Sequence, residues 1–269
     1  MRIRIIFNLH NRGSYVPFHH QFLLSDLIAN LKMEIPVEFQ KYNLYCFSGL
    51  KGQTKVGKSG LHFFSNKVTL VMSSPSDAFL NHLLKALFKR TQLEIGRLEL
   101  TPESVEREFE PELSDSVKFV CISPLVPCGP NVDADIEKEF LSPFDDSFSD
   151  FLYESTMVRM ESSGMFTPKD IEGFFKFQIV PDKVYLTRMQ ENSKKFSRVY
   201  ATDHDGYRKE VRGYTFPFTL YADPAVEKFI FHCGFGEYAD KGFGMVDLAN
   251  TNPIGRAEVY DFEKALAGS

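Results

Sequence analysis

The segment from Asp223 to Leu248 reads Asp-Pro-Ala-Val-Glu-Lys-Phe-Ile-Phe-His-Cys-Gly-Phe-Gly-Glu-Tyr-Ala-Asp-Lys-Gly-Phe-Gly-Met-Val-Asp-Leu. Asp223 is a good helix N-cap and Pro224 suits the first helical position, so a helix is predicted to begin here. Its apolar residues recur at helical spacing up to Cys233, and Gly234 is expected to end it. A glycine-rich loop and a short strand ending at Leu248 complete the segment.

The glycine-rich loop, residues 234–244, has two pairs of glycines with Lys241 between them: Gly234 with Gly236, and Gly242 with Gly244. Because glycine has no Cβ, a ligand can approach the backbone closely and several N–H groups can point at one anion. A tight helix-to-strand connection explains the same glycines without any ligand. The loop is neither a Walker loop, which needs G-x-x-x-x-G-K-[ST], nor a Rossmann turn, which runs from strand to helix.

Composition limits the classes of protein to consider. The 269 residues are 43% hydrophobic, enough for one large domain or two ordinary ones. A formal charge of −5 argues against nucleic acid covering the whole surface but permits a local basic groove. No apolar run approaches the roughly 18 residues of a membrane span, and the N-terminus alternates like a strand and unlike a signal peptide. We therefore expect a cytoplasmic protein with no membrane partner.

The cysteines and histidines show no pattern typical of a metal site. The chain has no C-x-x-C, and no histidine cluster at zinc spacing accompanies the cysteines. The cysteines are therefore expected to be reduced and buried. They are Cys46, Cys121, Cys128 and Cys233.

Hydrophobic periodicity divides the chain into two similar halves. The first half predicts strand, helix, strand, strand, helix, strand, with the last strand at 93–100, and this is the ferredoxin-like order. The acidic stretch 101–116 reads as a linker. The second half predicts a strand at 117–122, a helix at 148–161, strands at 175–179, 184–189 and 213–220, and then the Asp223 helix and the final strand. The predicted fold is α+β with two tandem ferredoxin-like domains, 1–110 and 115–252, followed by a C-terminal tail, 253–269.

A polar excursion between residues 188 and 212 interleaves cations with aromatic residues. Cations neutralise phosphates and aromatic rings stack on bases, so this segment is a candidate RNA contact. Four acidic residues dilute the charge, and a solvated hairpin explains the segment equally well. Its cations are Arg188, Lys194, Lys195, Arg198, Arg208, Lys209 and Arg212. The lysine-rich loop 49–60 is open to the same two interpretations.

Histidine titrates near neutrality, which makes it the first choice for acid–base chemistry. His19 and His20 are adjacent in the loop before the first helix, where one of them could act as a general acid or base with Tyr15, Lys32 or Lys51 nearby. An exposed loop pair without function is the alternative. The chain has neither H-E-x-x-H nor G-x-S-x-G.

The spacing of the glycine pairs, closed by Gly242-Phe-Gly-Met-Val, resembles the signature loop of the CRISPR-associated repeat-RNA endoribonucleases, the sixth Cas protein family. That family belongs to a wider repeat-associated group of RNA-binding proteins built on ferredoxin-like domains. Other segments resemble the family in the same order along the chain. They are Tyr15–His20, Leu24–Ile28, Tyr42–Leu50, Ile122–Val126 and Gly213–Leu220.

The resemblance implies that the protein binds CRISPR repeat RNA and cuts it without a metal or other cofactor. A base takes the proton from a ribose 2′-OH, the oxygen attacks the adjacent phosphate, and an acid protonates the departing 5′-oxygen. We assign catalysis to His20 first and His19 second, with Tyr45 and Lys51 assisting. We assign RNA binding to the four loop glycines and to cations. The cations are Lys241, Lys194, Lys195, Arg198, Arg208 and Arg212.

One departure from the family pattern leaves the activity open. Many members carry the catalytic histidine after the first helix, but residues 36–44 here read Pro-Val-Glu-Phe-Gln-Lys-Tyr-Asn-Leu. The alternative function is therefore a non-catalytic repeat-RNA binder or a structural subunit of a CRISPR effector complex, as a monomer or a homodimer. A nucleotide-binding metabolic enzyme that uses the glycine-rich loop is a third, less favoured class.

Overall fold

The computed structural model describes residues 1–127, 141–145, 147–204, 207–249, 251 and 253–267, and Cys128 lies outside them. The chain forms two compact units. The first comprises Met1–Glu110, Asp240–Gly242 and Asn252–Ser269, and the second comprises Pro111–Ala239 and Phe243–Thr251. Within the described ranges, no helix is both long and apolar enough to cross a membrane.

The strands and helices of both units follow in chain order. They are β1 (Arg2–Leu9), β2 (Tyr15–Val16), α1 (Gln21–Lys32), α2 (Val37–Gln40), β3 (Cys46–Phe47), β4 (Thr54–Val56), β5 (Leu61–Phe63), β6 (Lys67–Ser73), α3 (Asp77–Phe88), β7 (Leu93–Ile95), β8 (Leu98–Glu108), β9 (Val117–Cys121), α4 (Ser147–Ser162), α5 (Pro168–Gly173), β10 (Phe177–Pro181), α6 (Lys183–Glu191), β11 (Ser197–His204), β12 (Tyr207–Tyr214), β13 (Pro217–Ala222), α7 (Pro224–Cys233), β14 (Val246–Leu248), β15 (Ala257–Val259) and α8 (Phe262–Ala267).

The main sheet of the first unit has the strand order β15-β8-β1-β6-β3 with antiparallel pairing. Ile3, Ile5 and Phe7 of β1 are fully buried on one face of the sheet, as the alternation in the sequence predicts. They share a hydrophobic core with the buried faces of α1 and α3. Strands β1, β3, β6 and β8 with these two helices form a ferredoxin-like arrangement.

The second unit repeats the arrangement with the strand order β10-β13-β9-β14. Its final helix, α7, begins as predicted, because the Asp223 side chain accepts a hydrogen bond from the amide of Ala225 and Pro224 follows the cap. The helix ends at Gly234, whose φ is +81°. Two tandem ferredoxin-like units of the α+β class are therefore confirmed.

The predicted linker is wrong for residues 101–108, which continue β8 beside the central strand β1. The acidic residues that suggested a linker lie opposite arginines of β1: Arg2 is 3.1 Å from Glu108 and Arg4 is 3.6 Å from Glu106. Burial of Arg2 and Glu108 makes this pairing necessary, because an unpaired charge in the core would be strongly destabilising. Composition alone could not show it, since the partners are about a hundred residues apart.

The predicted strand 184–189 is also wrong, because these residues lie in α6. Asp182 caps this helix by accepting from the amide of Tyr185 at 3.0 Å. A single buried residue, Leu186, attaches the helix to the unit, so the apolar pattern that distinguishes helix from strand is weak here.

The predicted tail supplies β15, which pairs with β8, and α8, which packs on α3. The domain boundaries stay a prediction.

Candidate functional site

The glycines of the glycine-rich loop are required by the packing of the protein itself. Gly236, Gly242 and Gly244 have φ angles of +75°, +87° and +64°, which other residues rarely adopt. A Cβ atom at position 244 would collide with the carbonyl oxygen of Phe235, and one at position 236 would collide with that of Val126. Within the first unit, a Cβ at position 242 would overlap the ring of Phe47.

Four amides of this loop donate to carbonyls of the second unit and not to an anion. The amide of Gly234 bonds to Ile230 O at 2.9 Å, and that of Gly244 bonds to Pro124 O at 2.7 Å. The amides of Phe235 and Glu237 likewise donate to carbonyls of the chain. The expected cradle of free N–H groups is therefore wrong for these four positions. Whether the loop contacts RNA in another way stays a prediction.

Arg159 of α4 fixes the carbonyl side of the loop, and sequence reasoning missed it. Its Nη1 donates to the carbonyls of Gly234 at 2.9 Å and Gly236 at 3.1 Å, and its Nη2 donates to that of Cys233 at 2.6 Å. The guanidinium also lies over the ring of Phe229, 5.6 Å from its centroid. No local pattern predicts this contact, because its partners lie some 75 residues further along the chain.

Replacing Arg159 with Leu is expected to reduce the free energy of unfolding by about 2–4 kcal/mol, since three carbonyls lose a charged donor. Arg188→Leu, at an exposed position of α6, is the matched control and should change stability by less than about 0.5 kcal/mol. Urea denaturation followed by circular dichroism measures both. Equal losses in the two variants would contradict the role of Arg159.

His20 is buried, and both of its ring nitrogens are engaged. Nδ1 lies 3.1 Å from the carbonyl of Pro17, which can only accept, so Nδ1 carries the proton. Nε2 then accepts from the amide of Leu50 at 2.9 Å. Burial lowers the pKa of His20 to about 4. The ring therefore joins two loops as a neutral group. These contacts oppose the predicted role of His20 as the first-choice base. Its part in catalysis stays a prediction.

The other predicted catalytic residues differ in exposure. His19 is exposed, with its ring 6.0 Å from that of Phe22. Lys51 is half-buried, and its backbone pairs with Thr69. Tyr45 belongs to the core of the first unit, 3% exposed, and burial raises the pKa of its phenol. His19 and Lys51 are thus the members of this set whose side chains reach solvent.

Lys32, at the end of α1, is a cation that the sequence named only as a neighbour. Its Nζ donates to the carbonyl of Tyr42 at 2.6 Å and lies 5.3 Å from the centroid of the Tyr45 ring. Burial lowers the pKa of Lys32, Asp240 raises it, and Lys241 lowers it. The first unit therefore places Lys32 beside residues 240–242 of the glycine-rich loop. A lysine with a lowered pKa is suited to proton transfer or to charge stabilisation.

The polar excursion forms the predicted hairpin through β11 and β12. Tyr200 and Val211 on one face pack with Val126 and Phe243, so the hairpin rests on the end of the glycine-rich loop. Lys194, Lys195 and Arg198 are exposed, whereas Arg212 is half-buried. The backbone of Arg208 lies in β12, and its side chain is outside the described part of the chain. Contact of these cations with RNA stays a prediction.

Among the residues that the structure describes, no group of three or more His, Cys, Asp or Glu side chains is arranged to hold a metal ion. Cys46, Cys121 and Cys233 are buried cysteine thiols, as predicted.

Two ferredoxin-like units and a glycine-rich loop between α7 and β14 define a class of tandem ferredoxin-like proteins. Residues 106–248 match the family model described as "CRISPR associated protein Cas6, C-terminal". The chain belongs to the Cas6 family.

Known proteins resemble the chain over nearly its whole length. "CRISPR-associated endoribonuclease Cas6 1" of Methanocaldococcus jannaschii is 23% identical over 255 residues, which cover 91% of this chain and 92% of that protein. The solved structure "Characterization of a Cas6-related gene from Pyrococcus furiosus" has a TM-score of 0.76 at 20% identity and covers 94% of this chain and 99% of its own. The solved structure "An RAMP protein binding different RNA substrates" also has a TM-score of 0.76 at 20% identity. It covers 93% of this chain and 100% of its own.

Proposed function

We propose that the protein is an endoribonuclease that binds CRISPR repeat RNA and cuts it without a metal ion during the processing of precursor CRISPR RNA. The observation that carries this proposal is the alignment over nine-tenths of both chains with a relative named as a CRISPR-associated endoribonuclease. Membership of the Cas6 family supports the same function. The relatives support repeat RNA as the partner, and we place the protein in the cytoplasm as a monomer or a homodimer.

The proposed chemistry uses only protein groups. A base removes the proton of a ribose 2′-OH, the 2′-oxygen forms a bond to phosphorus, and the bond from phosphorus to the 5′-oxygen breaks as that oxygen gains a proton. The products are a 2′,3′-cyclic phosphate and a 5′-hydroxyl. We assign the proton transfer to His19, because its ring is exposed, and stabilisation of the negative charge to Lys51. His20 would position the His19 loop through its contacts with Pro17 and Leu50.

The test is incubation of the protein in EDTA with end-labelled repeat RNA from the CRISPR array of its own genome. We expect one cut, with a fragment that ends in a cyclic phosphate. Mapping the fragment on a denaturing gel, before and after acid opening of the cyclic phosphate, identifies that end. A cut that needs added Mg²⁺, or one that leaves a 5′-phosphate, would overturn the proposed chemistry.

The exposed cations of the excursion are proposed to contact RNA phosphates. Replacing Lys194, Lys195 and Arg198 together with Ala should reduce the slope of log affinity against log salt by about 2, because each contact with single-stranded RNA contributes about 0.7. Anisotropy titrations at several salt concentrations measure the slope. An unchanged slope would place the RNA elsewhere. A control with the same change in charge replaces three other exposed lysines: Lys85, Lys89 and Lys264.

A non-catalytic role in RNA binding is the second candidate, and two observations favour it. Residues 36–44 contain no histidine, and His20 is held by protein contacts on both ring nitrogens. Tight binding of repeat RNA without cleavage in the same assay would establish this role. Stoichiometric retention in a purified effector complex would then identify the protein as a structural subunit.

A further inference from the structure

A small three-stranded sheet in the first unit has an inner and an outer face of different character. Its strand order is β2-β5-β4, with antiparallel pairing. Val16 and Phe63 on the inner face are fully buried in the core of the unit. Because side chains alternate along a strand, Tyr15 and His62 lie on the outer face, and Phe64 directly follows the end of β5. Rings at these positions are unusual, since surface strands are ordinarily polar outside.

The register brings Tyr15 and His62 into one row with Lys55. Tyr15 and Lys55 both pair with His62, from opposite sides of β5. The Tyr15 and His62 ring centroids are 5.2 Å apart, and the Lys55 Nζ lies 5.2 Å from the centroid of Phe64. A hydrogen bond of 2.8 Å between His62 Nδ1 and Gly13 O fixes the histidine ring. The three rings are half-buried, so part of each remains open to solvent.

The two segments that build this sheet contain no acidic residue. Residues 10–20 and 49–67 carry five lysines and arginines and no Asp or Glu, although the whole chain has a formal charge of −5. Lys67 is paired with Glu103 at 2.8 Å. Arg12, Lys55 and Lys58 are exposed beside the rings. The surface therefore combines stacking platforms with positive charge, and its ligand should present flat apolar faces joined by anions.

We propose that the outer face of this small sheet binds unpaired nucleotides of RNA. Tyr15 and Phe64 stack on bases, and Arg12, Lys55 and Lys58 contact the phosphates between them. The inference rests on the proposed RNA-binding function and adds a surface outside both the glycine-rich loop and the hairpin. Paired RNA does not fit, because stacking on these rings requires bases with a free face.

The test uses the absence of tryptophan from the chain. Phe64→Trp keeps an aromatic ring and makes it the single fluorescent indole, which a stacked base quenches. We expect saturable quenching by a single-stranded repeat fragment and none by the same sequence annealed to its complement. Phe109→Trp is the control, because Phe109 is 54% exposed between Glu108 and Glu110 and should not be quenched. Binding of the single strand without quenching at position 64, or equal quenching at both positions, would overturn the inference.

Affinity gives a second, independent measurement. Tyr15→Leu and Phe64→Leu should each raise the dissociation constant about tenfold without changing its salt dependence, because they remove stacking and no charge. Lys55→Ala combined with Lys58→Ala should instead reduce the salt slope by about 1.4. Phe109→Leu should bind like the wild type. Wild-type affinity in the ring variants would overturn this inference alone, whereas a wild-type protein that binds no repeat RNA would overturn the proposed function with it. Thermal melts confirm that each variant is folded.

Discussion

Replacing His19 with Ala is expected to slow the cleavage of repeat RNA at least a hundredfold, while the affinity for RNA changes little. General acid–base catalysis contributes about 10²–10⁴ to a rate, and His19 is the exposed member of the histidine pair. The measurement is the single-turnover rate in EDTA with the protein in excess over labelled RNA. Saturating protein separates a loss of chemistry from a loss of binding.

His20→Ala is the informative comparison for this result. The variant leaves the amide of Leu50 without its acceptor, which should lower the free energy of unfolding by about 1–3 kcal/mol. We expect it to slow cleavage much less than His19→Ala does once both proteins are shown to be folded at the assay temperature. If His20→Ala abolishes cleavage at unchanged stability and His19→Ala does not, His20 is the catalytic residue. If both variants cut normally, neither histidine carries the reaction.

The second large effect concerns folding. Gly244→Ala is expected to lower the free energy of unfolding by roughly 3 kcal/mol or more, because its Cβ would collide with the carbonyl oxygen of Phe235. A collision with backbone cannot be relieved by turning a side chain. Arg159 of α4 donates to two carbonyls of the same loop and to that of Cys233 just before it, so the strain extends to the contact with α4.

Gly164→Ala provides a closely matched control. Gly164 has a φ of +68°, against +64° for Gly244, so both substitutions have the same unfavourable backbone conformation, costing about 1–2 kcal/mol. A Cβ at position 164, however, meets nothing within 4 Å. Urea denaturation of the two variants therefore measures the collision alone. Equal destabilisation would show that conformational strain, and not packing, requires glycine at position 244.

The sequence alone determined the fold class, because the signals for it are local. Alternating apolar residues mark β1, and the Asp223 cap with Pro224 marks the start of α7. Such signals also predict that the chain has two halves with a similar order of strands and helices. Prediction was wrong where the deciding contact is distant, as for Glu106 and Glu108, which read as a linker until their partners in β1 are known. Residues 184–189, predicted to be a strand, lie in helix α6, which Asp182 caps.

Only the tertiary structure decided what the site residues face. His19 and His20 are adjacent and chemically identical, yet one is exposed and the other is buried between Pro17 and Leu50. Glycine-rich sequence shows that something approaches the backbone closely, but not whether that is a ligand or the protein. Here the carbonyls of Phe235 and Val126 fill the space at two of the glycines. The physical reason is that local sequence fixes backbone preference, whereas exposure and contact depend on residues far along the chain.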